Sequence, residues 1–487
     1  MDLNTYNQYV AEGYNHIPVF RTESIDTETA LSLYLKQGNK PYSYLFESVE
    51  GGEKWGRFSF VGIGASKIIK VEDFRVTIEA GSQILSSEEV DNPLDWIEDY
   101  QKEFKAPEIE ELPIFNGGLV GYFGYEIIRY IEPKLSKINK PDQLNVPDIL
   151  LMVSDELMVF DNVKNQVFII NHINPSEKTY EEAQKRLEEI YQEILKPLSE
   201  GQTKPTKHSH NFRSSFGEEK FKKSVEKIRD YIIAGDVMQV VPSQRLEADF
   251  DASPIELYRQ LRALNPSPYM YYLNLSDFHI VGSSPEILTR VEKSRKATVR
   301  PIAGTRPRGN NQEEDLANEK DLLADKKEIA EHLMLIDLGR NDLGRIAKTG
   351  SVKLTEKMKI ERYSHVMHIV SNVECEIKDE MSAIDVLKAT FPAGTLSGAP
   401  KVRAMEIIDE VEPLKRNIYS GAIGYLSWDG SMDTAIAIRT AVIKNQKVYV
   451  QAGAGVVYDS KPQAEWDETM AKAKAIIAAA NSIGGNS

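Results

Sequence analysis

The chain has 487 residues, 41% of them hydrophobic and 27% charged, which is the balance of a globular protein of two or three domains or two interwoven ones. Its net charge of −15 excludes a general nucleic-acid binder and requires that any anionic ligand be met by local donors or a metal. The single cysteine, Cys375, excludes an internal disulfide framework and a cysteine-cluster metal site, and fits a reducing, cytoplasmic setting.

The first twenty residues include acidic ones and have no apolar core, so no secretory leader is expected. No uninterrupted apolar run approaches the length of a membrane span. A first block, residues 15–195, alternates strand-like runs (41–47, 67–72, 166–170) with helical patterns at 93–104 and 176–195. Residues 196–216 are polar, with Pro, Gly and Ser, and read as a linker. The second block, 217–482, opens with a helix at 218–234, strand-like runs at 237–246 and 269–275, and a helix from 312 to about 336. Strands return at 422–428, 434–443 and 447–453, joined by short turns at Asp429-Gly430 and Asn445-Gln446. This order predicts antiparallel sheet with helices, an α+β protein, not a doubly wound parallel sheet.

Phe391–Lys401, FPAGTLSGAPK, is too rich in Pro and Gly to continue a helix or strand. It is either a plain turn or a place where backbone N–H groups, Thr395, Ser397 and Lys401 meet a small anion. Two Glu-x-x-Glu pairs, Glu328/Glu331 and Glu465/Glu468, each put two carboxylates on one helix face. They suit a hard cation such as Mg²⁺, with some of the four acting through water, although acidic pairs are usually just solvated. Arg439, Tyr419 and the small-residue run Gly453-Ala454-Gly455 could receive carboxylates. Tyr458 stands where a dinucleotide fingerprint would need its third glycine. His365 and His368 are either partly buried histidines or a source of one proton-transfer group, and zinc is not expected. Glu286, in GSSPE, is either a loop carboxylic acid of raised pKa or a helix-start residue.

Taken in order, GDVMQVVPSQR (235–245), GSSPE (282–286), PIAGTRPRG (301–309), EIAEHLMLIDLGRNDLGR (328–345), VMHIV (366–370), FPAGTLSGAPK, and AIAIRT with VQAGAGVV resemble the chorismate-binding enzyme family over nearly the whole second block. That resemblance implies an antiparallel β-sandwich flanked by helices, the fold of the anthranilate- and aminodeoxychorismate-forming members. The first block would be interwoven with the chorismate-binding block. It also implies Mg²⁺ held by Glu331 and Glu468, with Glu328 and Glu465 direct or water-mediated. Chorismate would be bound by Tyr419, Arg439 and the Gly453–Ala454–Gly455 backbone, with Gly304 and Thr305 lining the ring. Thr395 would lie near the reacting face, Glu286 would be the general acid, and His368 would assist elimination.

Three features narrow the expected reaction to conversion of chorismate and ammonia to anthranilate and pyruvate. Gln239 stands where water-using members carry a lysine base, and neutral ammonia brings its own lone pair. Ala303 stands where aminodeoxychorismate-forming members typically carry a lysine that attacks the ring. LFES (45–48) and NPSPYM (265–270) resemble the tryptophan-binding elements of feedback-inhibited members, though Phe46 replaces the usual leucine. Glu47, Ser48, Pro268, Tyr269 and Met270 are the expected inhibitor contacts. Because Cys375 lies inside the chorismate-binding region, ammonia is expected from a separate glutamine amidotransferase subunit, in an assembly of two large and two small subunits. Formation of aminodeoxychorismate, isochorismate or salicylate, and a non-catalytic chorismate or tryptophan sensor, are the competing readings.

Overall fold

The computed structural model describes residues 1–48, 56–136, 140–198, 210–363 and 366–483. His365 and most of the expected linker, residues 199–209, lie outside the described residues.

Two large antiparallel sheets are stacked between layers of helices. The first has 11 strands and is built half from each end of the chain. Strands Ile17–Ser24, Gln166–Ile173, Glu156–Asp161, Phe58–Gly62 and Ser43–Glu47 lead into Tyr269–Asn274, Phe278–Ser284, Thr440–Lys444, Lys447–Gly453, Ser243–Asp249 and Arg213–Ser214. The seam between the halves pairs Ser43 with Asn274 and Glu47 with Met270. In the second sheet, of 12 strands, the corresponding seam pairs Gly118–Phe123 with Ala422–Ser427. The two sequence blocks therefore share both sheets.

Strand alternation explains how one run serves two layers, because successive side chains point to opposite faces. In Ser43–Glu47, Tyr44 enters the core between the sheets while Leu45 faces the helices outside the first sheet. In Tyr269–Asn274, Tyr271 and Leu273 point inward, and Met270 and Tyr272 outward. Both faces are covered, so these strands read as continuous apolar runs. Each large apolar side chain buried this way contributes about 1.5–3 kcal/mol.

Helix Tyr180–Ile194 covers the first sheet with Ala183, Leu187, Ile190 and Ile194, and starts at a Thr179/Glu182 capping box. Helices Pro254–Leu264 and Pro462–Asn481 join that layer, each with proline in its first turn. Helices Pro93–Lys102, Lys326–Gly344 and Ala383–Thr390 cover the second sheet. No described helix is long and apolar enough to cross a membrane.

Three expected elements differ from those observed. The helix predicted from 312 to about 336 is two, Gln312–Ala324 and Lys326–Gly344. Asp325 leaves helical geometry and caps the second helix by accepting from Lys327 N at 3.0 Å and Glu328 N at 3.3 Å. The run 434–443 is split into Met432–Ile436 and Thr440–Lys444, because Arg439 adopts φ +51°. The run 237–246 is likewise divided, with Gln239–Val240 pairing to Gly398–Ala399 before Pro242 and the strand Ser243–Asp249. Each break falls beside the cleft described next.

Candidate active site

Glu286 sits in the short connection between strands Phe278–Ser284 and Ile287–Val291, not at the start of a helix. Its backbone is fixed by a bond from Ile436 N to its carbonyl at 2.9 Å. The side chain is buried, and Thr395 Oγ1 donates to its Oε1 at 2.9 Å. Burial pushes its pKa up to about 8, against the opposing pulls of the Thr395 bond and the Lys472 charge. A carboxylic acid that keeps its proton at neutral pH is thereby placed in the cleft.

The turn FPAGTLSGAPK delivers Thr395 to that acid from the 3₁₀ segment Gly394–Leu396. Its other polar groups are committed elsewhere. Lys401 Nζ pairs with Asp342 at 2.8 Å and donates to Thr390 O, and Ser397 Oγ donates to Ala393 O at 3.0 Å. The segment is therefore a positioning turn, and Lys401 does not serve as an anion donor here.

The paired strands Ile302–Pro307 and Val366–Glu376 slip register between Ala303 and Thr305, and Gly304 takes up the extra residue at φ +70°. The bulge turns the Gly304 carbonyl toward His368 Nδ1, 2.8 Å away, with Thr305 Oγ1 at 3.2 Å. A carbonyl only accepts, so Nδ1 carries the hydrogen and Nε2 keeps its lone pair. Burial lowers the His368 pKa, holding the ring neutral. A Cβ on Gly304 would lie 3.1 Å from Glu328 Oε2, so this edge of the sheet meets the first acidic pair directly.

The Gly453–Gly455 run leaves the sheet beside Tyr419 and Arg439. A Cβ on Gly453 would stand 2.8 Å from Pro242 O and 2.9 Å from Tyr419 Oη, and one on Gly455 2.6 Å from Gln239 Nε2. Side chains at either position would fill this cradle. Arg439 projects from its φ +51° turn and donates to the Lys472 carbonyl. Burial lowers its pKa, and the nearby Tyr419 and Glu468 oppose that shift. The Tyr419 hydroxyl is raised to about 12 by burial.

The second acidic pair lies on helix Pro462–Asn481, and Lys327 on the facing helix is close enough for its charge to act on Glu465. Burial, then the Glu331 charge, raises Glu328; burial raises Glu465 too, with Glu468 adding to the shift. One Glu465 oxygen is buried without a partner, and Gln239 Nε2 donates to Glu331 Oε1 at 3.2 Å. Among the described residues, no three His, Cys, Asp or Glu side chains are assembled into a metal cluster. Two separated carboxylate pairs with an unpartnered oxygen fit a hard cation that keeps several waters and takes further oxygens from a substrate.

Glu47, Ser48, Pro268, Tyr269 and Met270 all line one partly open pocket at the seam of the first sheet. Arg290 and Asp433 form its charged wall at 2.6 Å, and Tyr269 Oη donates to Asp433 at 2.9 Å. Glu47 is held by Tyr258 and Arg262. This pocket is distinct from the Glu286 cleft, although Tyr269 pairs across the sheet with Ser284, two residues before Glu286.

Lys472 is the residue that sequence reasoning missed. Its Nζ donates to Gly453 O at 2.9 Å and pairs with Glu468 at 2.7 Å. Its position four residues after Glu468 was the available signal.

The family model for chorismate binding enzymes matches residues 43–478. The anthranilate synthase component 1 of Acinetobacter calcoaceticus is 54% identical, over 98% of this chain and 97% of the relative. That of Neisseria meningitidis serogroup B is 56% identical, over 98% of each. The crystal structure of anthranilate synthase component I from Streptococcus pneumoniae TIGR4 superposes with a TM-score of 0.79 at 41% identity, covering 88% of this chain and 95% of that one. The menaquinone-specific isochorismate synthase of Escherichia coli, at 19% identity and a TM-score of 0.70 over 98% of each chain, shares the fold.

Proposed function

The chain belongs to the family of chorismate-binding enzymes, and from that premise we propose that it converts chorismate and ammonia to anthranilate and pyruvate as the chorismate-using subunit of an anthranilate synthase. The observation that carries the reading beyond family membership is the buried carboxyl of Glu286, with a pKa near 8 and a hydroxyl donor fixed on it. A sensor that only bound chorismate would have no use for a protonated acid kept at the cost of burial.

Chorismate is a dianion in a protein of net charge −15, so its carboxylates need buried donors. In this reading Arg439, Tyr419 and the Gly453–Gly455 backbone, apart from the Ala454 N–H that donates to Pro242 O at 3.1 Å, supply them, and Gly304 and Thr305 line the ring. Glu286, oriented by Thr395, gives its proton to the C4 hydroxyl, which leaves as water while the ring double bonds shift and ammonia forms the new bond at C2, the added nitrogen then giving its surplus proton to solvent. Acid assistance of this kind is worth roughly 10²–10⁴-fold. Gln239 suits ammonia in being neutral, and Ala303 offers no nucleophile of its own. His368 then takes the C2 proton on Nε2 as the side-chain ether bond breaks. The ring becomes aromatic, and the departing enolate takes up a proton on carbon to become pyruvate. Glu331 and Glu468, with Glu328 and Glu465 directly or through water, would hold Mg²⁺, which when bound supplies Lewis-acid polarisation of the ring carboxylate.

In this reading ammonia comes from glutamine through a partner amidotransferase subunit, in a cytoplasmic assembly of two large and two small subunits. Residues 15–195 form the regulatory part and 217–482 the catalytic part. Tryptophan binds at Glu47, Ser48, Pro268, Tyr269 and Met270 and opposes chorismate. The test is product analysis of the purified chain with chorismate, Mg²⁺ and an ammonium salt at mildly alkaline pH. Fluorescent anthranilate and pyruvate are expected, with no turnover when glutamine replaces ammonium. Aminodeoxychorismate, isochorismate or unchanged chorismate would overturn the assignment.

A further inference from the structure

We propose that Lys472 keeps Glu468 occupied until chorismate draws its ammonium away, so that divalent-cation binding at the acidic pairs is conditional on substrate. The inference rests on the reading above, in which Glu468 is a cation ligand and the Gly453–Gly455 cradle takes a chorismate carboxylate.

Three contacts and a charge effect lead to it. The Lys472 ammonium is 2.7 Å from Glu468 Oε1, so the carboxylate needed for the cation already holds a positive charge. The same ammonium donates to Gly453 O at 2.9 Å, at the mouth of the cradle. The Lys472 carbonyl accepts from Arg439, which ties this turn of the helix to the other cationic donor of the site. Its charge also acts on Glu286 and Glu465, the catalytic acid and the buried member of the second pair.

An ammonium and a divalent cation repel each other and compete for the same oxygen. The Glu468–Lys472 bond is an i,i+4 pair with 46% and 37% of the side chains exposed, a weak bond that exchanges readily. The Gly453 carbonyl is a neutral acceptor. A substrate carboxylate arriving beside it offers the ammonium an anionic partner of the same kind as Glu468, but next to the buried Gly453, where the attraction is screened less. Lys472 then turns from helix to substrate, and Glu468 is released to the cation. The order prevents the four carboxylates from closing around a cation before chorismate is in place. Lys472 is thus a positioning residue that couples two binding events.

The test is calorimetric titration of Mg²⁺ into the wild-type chain, Lys472→Met and Lys472→Gln, each with and without saturating chorismate and with ammonia absent. The glutamine variant is neutral yet can still donate to Gly453 O, which keeps the test open if the methionine variant fails to fold. In the wild type, chorismate should tighten Mg²⁺ binding by about tenfold or more, in the usual range of linkage between sites. In the variants Mg²⁺ alone should bind about three- to tenfold tighter than to the wild type, and the chorismate effect should shrink by about threefold or more, leaving the part that comes from the cation's own contact with the ring carboxylate. Loss of a positive charge alone would shift every Mg²⁺ affinity equally and leave the chorismate effect intact. A chorismate effect within about twofold of wild type in a folded variant would therefore overturn the proposal. Wild-type protein that makes no anthranilate would bring down the site assignment instead, whereas normal turnover with unchanged coupling would bring down only the role of Lys472.

Discussion

Replacing Glu286 with Gln removes the titrating proton while keeping a neutral side chain of the same shape, whose carbonyl can still accept from Thr395. The pKa of Glu286 moves from 4.5 to about 8 on folding, so at pH 7 roughly ten molecules in eleven carry the proton needed for the C4 hydroxyl. The rate, expressed against unprotonated ammonia, should fall along an alkaline limb with its midpoint near pH 8. In the Gln variant that limb should vanish and the rate should drop by about 10²–10⁴-fold. Thr395→Ala should move the limb upward, because the lost hydrogen bond favoured the ionised form. Stability carries the same signature. The native protein holds a proton that the unfolded chain releases above 4.5, so the contribution is fully present below 4.5 and is lost as pH rises to about 8. At about 1.4 kcal/mol per pH unit, this window is worth at most about 5 kcal/mol relative to Glu286→Gln. Initial rates of anthranilate fluorescence from pH 6 to 10 and urea unfolding of both proteins provide the measurements. A limb retained in the Gln variant, a rate loss under about tenfold, or parallel stability profiles would refute the reasoning.

Gly453→Ala should raise the KM for chorismate about tenfold or more, since its methyl would press on Pro242 O and Tyr419 Oη in a space with no slack; an unchanged KM would show that the cradle is not the carboxylate site. Ser48→Phe, which places a ring in the seam pocket, should raise the tryptophan concentration for half inhibition by about tenfold or more while leaving uninhibited turnover nearly unchanged. Steady-state assays with and without tryptophan decide it. Arg416 is fully buried, bound to Glu412 at 2.6 Å, Val241 O at 2.7 Å and Leu396 O at 2.8 Å. Arg416→Met strands the buried Glu412 charge and should cost about 3–5 kcal/mol in urea unfolding; a loss under about 1 kcal/mol would contradict that account.

Local chemistry was legible in the residues wherever it depends on near neighbours. The Pro- and Gly-rich turn at 391–401, the i,i+3 acidic pairs and the helix and strand periods were all readable, although the expected helix 176–195 begins only at Tyr180 and the expected strand 166–170 runs on to Ile173. Gln239 and Ala303 bear on the choice of nucleophile only through the family resemblance, by what stands at those positions in other members. The extent of helix at 312–336 and of strand at 434–443 was misjudged because backbone breaks at Asp325 and Arg439 serve the tertiary structure. Asp325 begins a new helix aimed at the cleft, and Arg439 adopts a left-handed conformation that local propensity disfavours.

By itself, then, the sequence determined the inventory: an α+β chain with Glu286 beside a proline, two Glu-x-x-Glu pairs, a small-residue run at 453–455 and a single cysteine. Only the tertiary structure decided the surroundings of each member of that inventory. Burial raised Glu286, the Gly304 bulge chose the His368 tautomer, the Asp342 pair withdrew Lys401, and the packing of helix Pro462–Asn481 on the sheet brought Lys472 to Gly453. The physical reason is that side-chain type and spacing are properties of neighbouring residues. Desolvation, hydrogen-bond partnership and charge proximity depend instead on segments that lie far apart in the chain and meet only when the two sheets close.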